Sequence, residues 1–138
     1  MKRIECLLTS FAVLILCGST LRAQPKREII LQVTDIPSQT GRILATVGHG
    51  EYYGWADAAD FPVEIKLENV SNGTYEIYVF HDANGNWELD KENGVPTERC
   101  AMRKIEVTDS VRTFSVALVD IKDRIKTQHK RQEQQLRP

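Results

Sequence analysis

The chain has 138 residues, 41% of them hydrophobic, with 18 Lys and Arg against 19 Asp and Glu. This is enough for one domain with a core of its own. The charge is unevenly distributed, since residues 24–120 hold nine basic and sixteen acidic side chains (net −7), and residues 121–138 hold six and two (net +4). An acidic body argues against a nucleic-acid-binding domain, because phosphate binding needs clustered positive charge.

Residues 1–23 predict a signal peptide that is removed on export. A short basic start precedes a mostly apolar run at 7–16, which is too short to span a bilayer as a helix. Cleavage is expected after Ala23, and the Ala-Gln pair there resembles signal-peptide ends common in Bacteroidetes. A lipid anchor at Cys17 is the alternative. We therefore expect a periplasmic or secreted protein with no transmembrane segment in the mature chain.

Residues 24–120 predict a single β-domain. Apolar and polar residues alternate there with the period of two that is typical of half-buried strands. The alternating apolar sets are Ile29, Leu31 and Val33; Ile43, Ala45 and Val47; Val63, Ile65 and Leu67; Tyr75, Ile77 and Val79; Ile105 and Val107; and Phe114, Val116 and Leu118. Residues 48–60 are interpreted as a loop that can include a short edge strand. About six or seven short strands predict an all-β fold, an antiparallel β-sandwich of the immunoglobulin-like or transthyretin-like kind.

A polar segment follows the strand that ends near residue 80. Oxygen-bearing side chains stand at every second position there: Asp82, Asn84, Asn86, Glu88 and Asp90. Alternate residues of a curled, extended chain can direct their oxygens to one point, and Ca²⁺ takes about six to eight oxygen ligands. Trp87 stands where a helical-hand calcium loop needs glycine, and Asn93 where it needs glutamate. The pattern therefore predicts a weak calcium-supported loop over residues 82–98, with no other metal or cofactor.

The same residues also fit a turn that needs no metal. Asp and Asn side chains bond to backbone N–H groups two residues further on. Gly85 can take a positive φ at little cost, and burial of Trp87 and Leu89 would hold the loop against the sandwich. Both interpretations stay open on the sequence alone.

The last segment, residues 121–138, has a different composition from the body. Lys, Arg and Gln dominate it, and its large apolar residues are Ile121, Ile125 and Leu136. Three such residues bury too little surface to offset the conformational entropy of ordering. The sequence predicts a basic tail that is disordered or a frayed helix.

The sequence contains no recognisable set of catalytic residues. A Ser/His/Asp arrangement, a zinc-binding pair and a glycine-rich phosphate loop are all absent from it. His81 is interpreted as a structural residue. Cys100, alone after the predicted leader, is interpreted as a small buried hydrophobe. The alternative is a hydrolase with a carboxylate pair drawn from Glu88, Asp90, Glu92 and Glu98.

The leading functional hypothesis is a non-enzymatic binding or accessory module for an unknown protein or glycan ligand. Tyr52, Tyr53 and Trp55, together with Trp87, could form an exposed aromatic platform for sugars or peptides, or could cap one end of the sandwich. A structural cell-envelope protein that acts through assembly is a further alternative. Nucleic acid is not an expected partner.

Residues 69–98 resemble an uncharacterised bacterial family of exported domains of unknown function. The resemblance rests on Gly73-Thr74-Tyr75, then His81, Asp82, Asn84, Asn86, Leu89 and Asp90, then Gly94, Pro96 and Glu98. The chain departs from the family pattern at Trp87, where glycine is usual, and after Glu98, where Arg99-Cys100-Ala101-Met102 replaces a glycine-rich and aromatic loop. The resemblance implies export and a β-sandwich, and it implies no reaction.

Overall fold

The computed structural model describes residues 27–137. The predicted signal peptide and Cys17 lie outside the described residues. Nine strands precede one helix: β1 (Arg27–Thr34), β2 (Arg42–Val47), β3 (Tyr52–Asp57), β4 (Val63–Val70), β5 (Gly73–Asp82), β6 (Lys91–Glu92), β7 (Val95–Pro96), β8 (Cys100–Val107), β9 (Thr113–Ala117) and α1 (Ile121–Gln135).

Seven of these strands form two sheets that pack face to face. The three-stranded sheet has the order β4-β1-β9, and the four-stranded sheet has the order β3-β2-β5-β8. Pairing is antiparallel throughout except between β1 and β9, which run parallel. The predicted all-β sandwich is therefore confirmed. Because β1 and β2 belong to different sheets, the strand order is not that of immunoglobulin domains, where the first two strands share a sheet.

The core lies between the two sheets and is built by the alternating residues that the sequence indicated. Every second side chain of a strand points to the same face, so one apolar face per strand suffices to fill the space between two sheets. The buried apolar residues are Ile29, Leu31, Val33, Ile43, Ala45, Val47, Ala58, Val63, Ile65, Leu67, Val70, Ile77, Val79, Ile105, Val107, Phe114, Val116 and Leu118.

The segment 48–60 contributes the edge strand β3 as well as its flanking turns. Gly54 faces inward on this strand, and a Cβ added there would lie 2.9 Å from Cγ2 of Ile65 on β4. The absence of a side chain at Gly54 therefore lets β3 approach β4, which closes one side of the sandwich.

The basic tail forms a helix, which is one of the two alternatives that its composition left open. Asp120 has an extended backbone, and its carboxylate accepts a hydrogen bond from the N–H of Asp123 at the start of α1. Lys122 also pairs with Glu92 of β6, which ties the first turn to the body. None of the described side chains of α1 is buried. The helix therefore depends on its cap, its helix-forming composition and this ion pair, because it buries no apolar face.

No helix in residues 27–137 combines the length and the apolar character needed to cross a membrane.

Gly41 supplies a first test of the fold. Its φ is +75°, and a Cβ there would overlap the backbone of Asp82 and Ala83. We expect Gly41→Ala to lower the free energy of unfolding by roughly 2–5 kcal/mol, from backbone strain plus overpacking. Gly50→Ala is the matched control, since its φ is +92° but nothing lies within 4 Å of the added Cβ. Equal losses in urea unfolding of the two variants would show that the close approach at Gly41 is absent.

The cap of α1 supplies a second test. We expect Asp120→Ala to cost about 1 kcal/mol of helix stability, because the N–H of Asp123 loses its acceptor. The circular dichroism signal at the helical minimum should fall, while the thermal midpoint of the sandwich stays the same. Asp120→Asn keeps an oxygen at the cap and should keep the helix. A helix that is lost equally in both variants would contradict a capping role.

Candidate functional site

The loop after β5 is organised around the carboxylate of Asp82. This side chain is fully buried at the end of the strand. Its Oδ1 accepts a hydrogen bond from the N–H of Asn86, and its Oδ2 accepts one from the N–H of Trp87, both at 3.0 Å. Two charge-assisted bonds to backbone N–H groups therefore fold the loop back over the end of its own strand.

A second set of bonds closes the outer part of the loop. The side-chain amides of Asn84 and Asn86 donate to the two oxygens of Asp90, at 2.6 and 2.9 Å. The amide oxygens of the same two asparagines accept from the N–H groups of Asn86 and Glu88, at 3.1 and 2.9 Å. These side-chain bonds to N–H groups two residues ahead are the Asx turns of the metal-free interpretation.

The carboxylate of Glu98 accepts a hydrogen bond from each end of this segment. Its Oε1 accepts from the N–H of Ala83 at 3.1 Å, and its Oε2 accepts from the N–H of Asp90 at 3.2 Å. The short β6–β7 hairpin lies between Asp90 and Glu98, so one carboxylate joins the loop to the returning chain. The sequence did not identify this role, because nothing in the local pattern links Glu98 to a backbone group fifteen residues earlier.

Of the predicted calcium ligands, three lie together and two lie apart from them in this structure. Asp82 faces the backbone of residues 86 and 87, whereas Asn84, Asn86 and Asp90 bond to one another. Glu88 is exposed. Within residues 27–137, no group of three or more His, Cys, Asp or Glu side chains is arranged to hold a metal ion. The loop closes through its own hydrogen bonds, and calcium binding stays a prediction.

The carboxylates considered for a hydrolase serve separate contacts. Asp90 and Glu98 accept hydrogen bonds within the loop. Glu92 lies against Lys122, whose ammonium lowers the pKa of the Glu92 carboxyl. A glycosidase acid needs a raised pKa instead, so that it stays protonated near neutral pH.

Trp87 is the large apolar side chain that the loop exposes to solvent. Its φ of +66° is uncommon for a bulky side chain, and the bond from its N–H to Asp82 holds it in place. The guanidinium carbon of Arg42 lies 3.9 Å from the centroid of the Trp87 ring and 5.6 Å from that of Trp55. The two indole rings meet edge to face, with centroids 5.8 Å apart. Two tryptophans thus enclose one cation.

Arg42 also faces Asp82 from the neighbouring strand. Its Nε is buried without a hydrogen-bond partner and lies 4.0 Å from Oδ2 of Asp82. This distance is too long for a hydrogen bond. The contact is therefore an electrostatic attraction, which holds the guanidinium under the two indole rings.

Apolar side chains continue from Trp55 across the outer face of the four-stranded sheet. Register places Leu44 opposite Trp55 and Phe80, and places Tyr78 opposite Met102. We call the following set the aromatic face: Arg42, Leu44, Tyr53, Trp55, Tyr78, Phe80, Trp87 and Met102. Tyr53 is 80% exposed, Met102 64%, Trp55 52% and Trp87 51%, so this sheet face is covered by apolar groups in contact with water.

The predicted aromatic platform is thus present in part. Tyr53, Trp55 and Trp87 share the aromatic face, which lies on the side of a sheet and not at one end of the sandwich. Tyr52 is elsewhere, because the alternation of β3 points it inward, where it packs edge to face on Tyr75 with centroids 5.9 Å apart. Alternation in the sequence predicts that Tyr52 and Tyr53 point to opposite faces of the strand. It does not predict that Trp55 contacts a tryptophan 32 positions later.

The surroundings of His81 and Cys100 are those of structural residues. His81 is buried, and its Nε2 lies 2.7 Å from the carbonyl oxygen of Thr40, to which it donates as the Nε2–H tautomer. Cys100 is half-buried, and burial, followed by the carboxylate of Asp120, raises the pKa of its thiol. A raised pKa lowers the thiolate fraction, so this cysteine is a poor nucleophile.

A family model described as "Uncharacterized protein conserved in bacteria (DUF2141)" matches residues 31–129. The matched range includes both sheets, the loop and the aromatic face. The resemblance to an uncharacterised bacterial family is therefore confirmed at the level of the family. No curated protein and no solved structure matches the chain significantly.

Removal of the Asp82 carboxylate should open the loop. We expect Asp82→Ala to lower the free energy of unfolding by roughly 3–5 kcal/mol, because two N–H groups and the Arg42 guanidinium lose their buried partner. Glu88→Ala, in the same loop but exposed, should change it by less than about 0.5 kcal/mol. Urea unfolding of both variants measures this, and similar values for the two would contradict the central role of Asp82.

The hydrogen-bonded loop also predicts the response to calcium. A cation would have to compete with the amides of Asn84 and Asn86 for the oxygens of Asp90. If the loop closes by these bonds alone, the thermal midpoint is the same in millimolar calcium and in chelator. A rise in the midpoint with calcium that disappears in Asp90→Asn would establish the calcium-supported loop instead.

Proposed function

The chain belongs to the DUF2141 family of uncharacterised bacterial proteins, and from that premise we propose that it is an exported, non-enzymatic binding module whose aromatic face takes a protein partner. Export rests on the predicted signal peptide of residues 1–23. The observation that carries the proposal is the exposed cluster of Trp55, Arg42 and Trp87 at one corner of that face.

The composition of the aromatic face supports a protein as the ligand. Trp, Tyr, Met and Arg are enriched in the cores of protein interfaces, and Trp, Tyr and Arg make up most binding hot spots. A monomeric protein rarely leaves a contiguous apolar surface of this kind in water. Trp55, Trp87 and Met102 are each more than half exposed, so a partner would remove a large apolar area from solvent.

The shape of the face supports a macromolecular ligand over a small one. Small-molecule sites are concave and enclose most of the ligand surface. The aromatic face is instead the open side of a sheet that spans four strands. The cavity of about 290 Å³ near Ile36 and Phe61, by contrast, lies away from this face.

The loop after β5 positions one residue of this proposed binding surface. Asp82, Glu98 and the Asx turns hold the backbone of Trp87 beside Trp55 before any partner arrives. A side chain that is held in its binding position loses less conformational entropy on association. In this proposal, the role of the oxygen-rich pattern is to hold Trp87 in position.

A site-specific crosslinking experiment tests this proposal. A photoreactive residue replaces Met102 on the aromatic face, or Thr113 on the outer face of the other sheet, in cells of the source bacterium. We expect a protein adduct from position 102 and none from position 113. Trp55→Ala, combined with the photoreactive residue at position 102, should abolish the adduct, because loss of a central tryptophan costs about 2 kcal/mol or more of binding energy.

Two results would contradict the proposal. One is an adduct of equal yield from both positions. The other is selective binding of the purified protein to glycans, abolished by Trp87→Ala while the thermal midpoint is unchanged, which would identify the aromatic face as a carbohydrate platform.

A further inference from the structure

Helix α1 is a basic element whose first turn pairs with the body through Lys122 and Glu92. Between residues 121 and 135 it has five cations and two anions, a net charge of +3. None of its described side chains is buried. A helix that is polar on all sides bridges to another domain, is stabilised by side-chain pairs along its surface, or is unstable on its own. The exposed cations of α1 are therefore free to face a partner outside its own sandwich.

The segment that runs from the turn before β3 to the end of β4 carries the opposite net charge. Residues 51–68 hold one lysine and five acidic residues, a net charge of −4, and all five acidic side chains are exposed: Glu51, Asp57, Asp60, Glu64 and Glu68. A groove of about 390 Å³ runs between the two strands. It is lined by Glu51 and Glu68 together with Tyr52, Tyr53, Lys66 and Leu67. We call it the acidic groove.

We propose that α1 of one molecule docks along the acidic groove of a second copy of this chain. Charge complementarity supports the match, as Lys126 and Lys130 of the helix would meet Glu51 and Glu68, the two acidic residues that line the groove beside Lys66. The lengths also agree, because a helix of 15 residues spans about 22 Å and a strand of eight residues about 26 Å. Lys122, Lys126 and Lys130 follow one another at four-residue spacing, so they lie along one side of the helix.

The contact is head to tail, since a basic element of one molecule meets an acidic element of the next. Such a contact is heterologous and forms rings or open chains according to the rotation that relates the two copies. It does not rest on the proposed function, because charges carry it and the tryptophans take no part.

Sedimentation velocity of the full chain, expressed for export, provides the first measurement. At about 0.1 mM protein, we expect species heavier than the monomer at about 10 mM salt, where the Debye length is about 30 Å. At about 1 M salt the Debye length is about 3 Å, and only the monomer should remain. A monomer under both conditions would overturn the inference.

Charge reversal identifies the two surfaces. Lys126→Glu with Lys130→Glu on the helix should weaken association about tenfold, and so should Glu51→Lys with Glu68→Lys in the groove. Combining all four substitutions exchanges the two signs and should restore association. All four side chains are exposed, so thermal midpoints should stay near that of the parent chain.

Three further outcomes would overturn the inference. Association that persists in both reversed variants would place the contact elsewhere. Failure of the four-substitution variant to associate would show that the two surfaces do not meet. Binding of the monomer to anionic lipid vesicles, lost in the helix variant, would assign α1 to a membrane surface instead.

Discussion

The geometry of the outer surface depends on one buried carboxylate. Asp82 ends the central strand β5, accepts the N–H groups of Asn86 and Trp87, and attracts the guanidinium of Arg42. A buried anion is costly unless it is paired and hydrogen-bonded. Its neighbours are therefore constrained together: the loop must fold back, Trp87 must adopt a positive φ, and Arg42 must stay beside the two indole rings.

The side-chain oxygens of this loop can bind a cation or can accept hydrogen bonds from backbone N–H groups. The direction in which the oxygens point decides between the two. Here the oxygens of Asn84 and Asn86 accept neighbouring N–H groups, while their amide nitrogens donate to Asp90. The loop thereby satisfies its own polar groups, which leaves the indole of Trp87 as its outward feature. Under the proposed function, the tryptophan that these bonds support would contact the partner.

The proposed contacts of the aromatic face and of helix α1 with the acidic groove would depend on different interactions. The aromatic face would gain binding energy by burial of apolar area, which is nearly insensitive to salt. Helix α1 and the acidic groove would attract one another through exposed charges, which salt screens. A molecule with both can recruit a partner through one surface and assemble through the other, and salt separates the two in experiment.

The alternation of apolar and polar residues along the sequence determined the β-sandwich. Alternating residues such as Val63, Ile65 and Leu67 assign an inward face, since the strand period is set by backbone geometry alone. The sequence left the tail as either disordered or a frayed helix, because apolar burial alone does not include the cap that Asp120 supplies. Only the tertiary structure decided which distant strands pair, and so brought Glu98 to Ala83 and Trp55 to Trp87. Such contacts depend on the packing of two sheets, which short-range patterns do not encode.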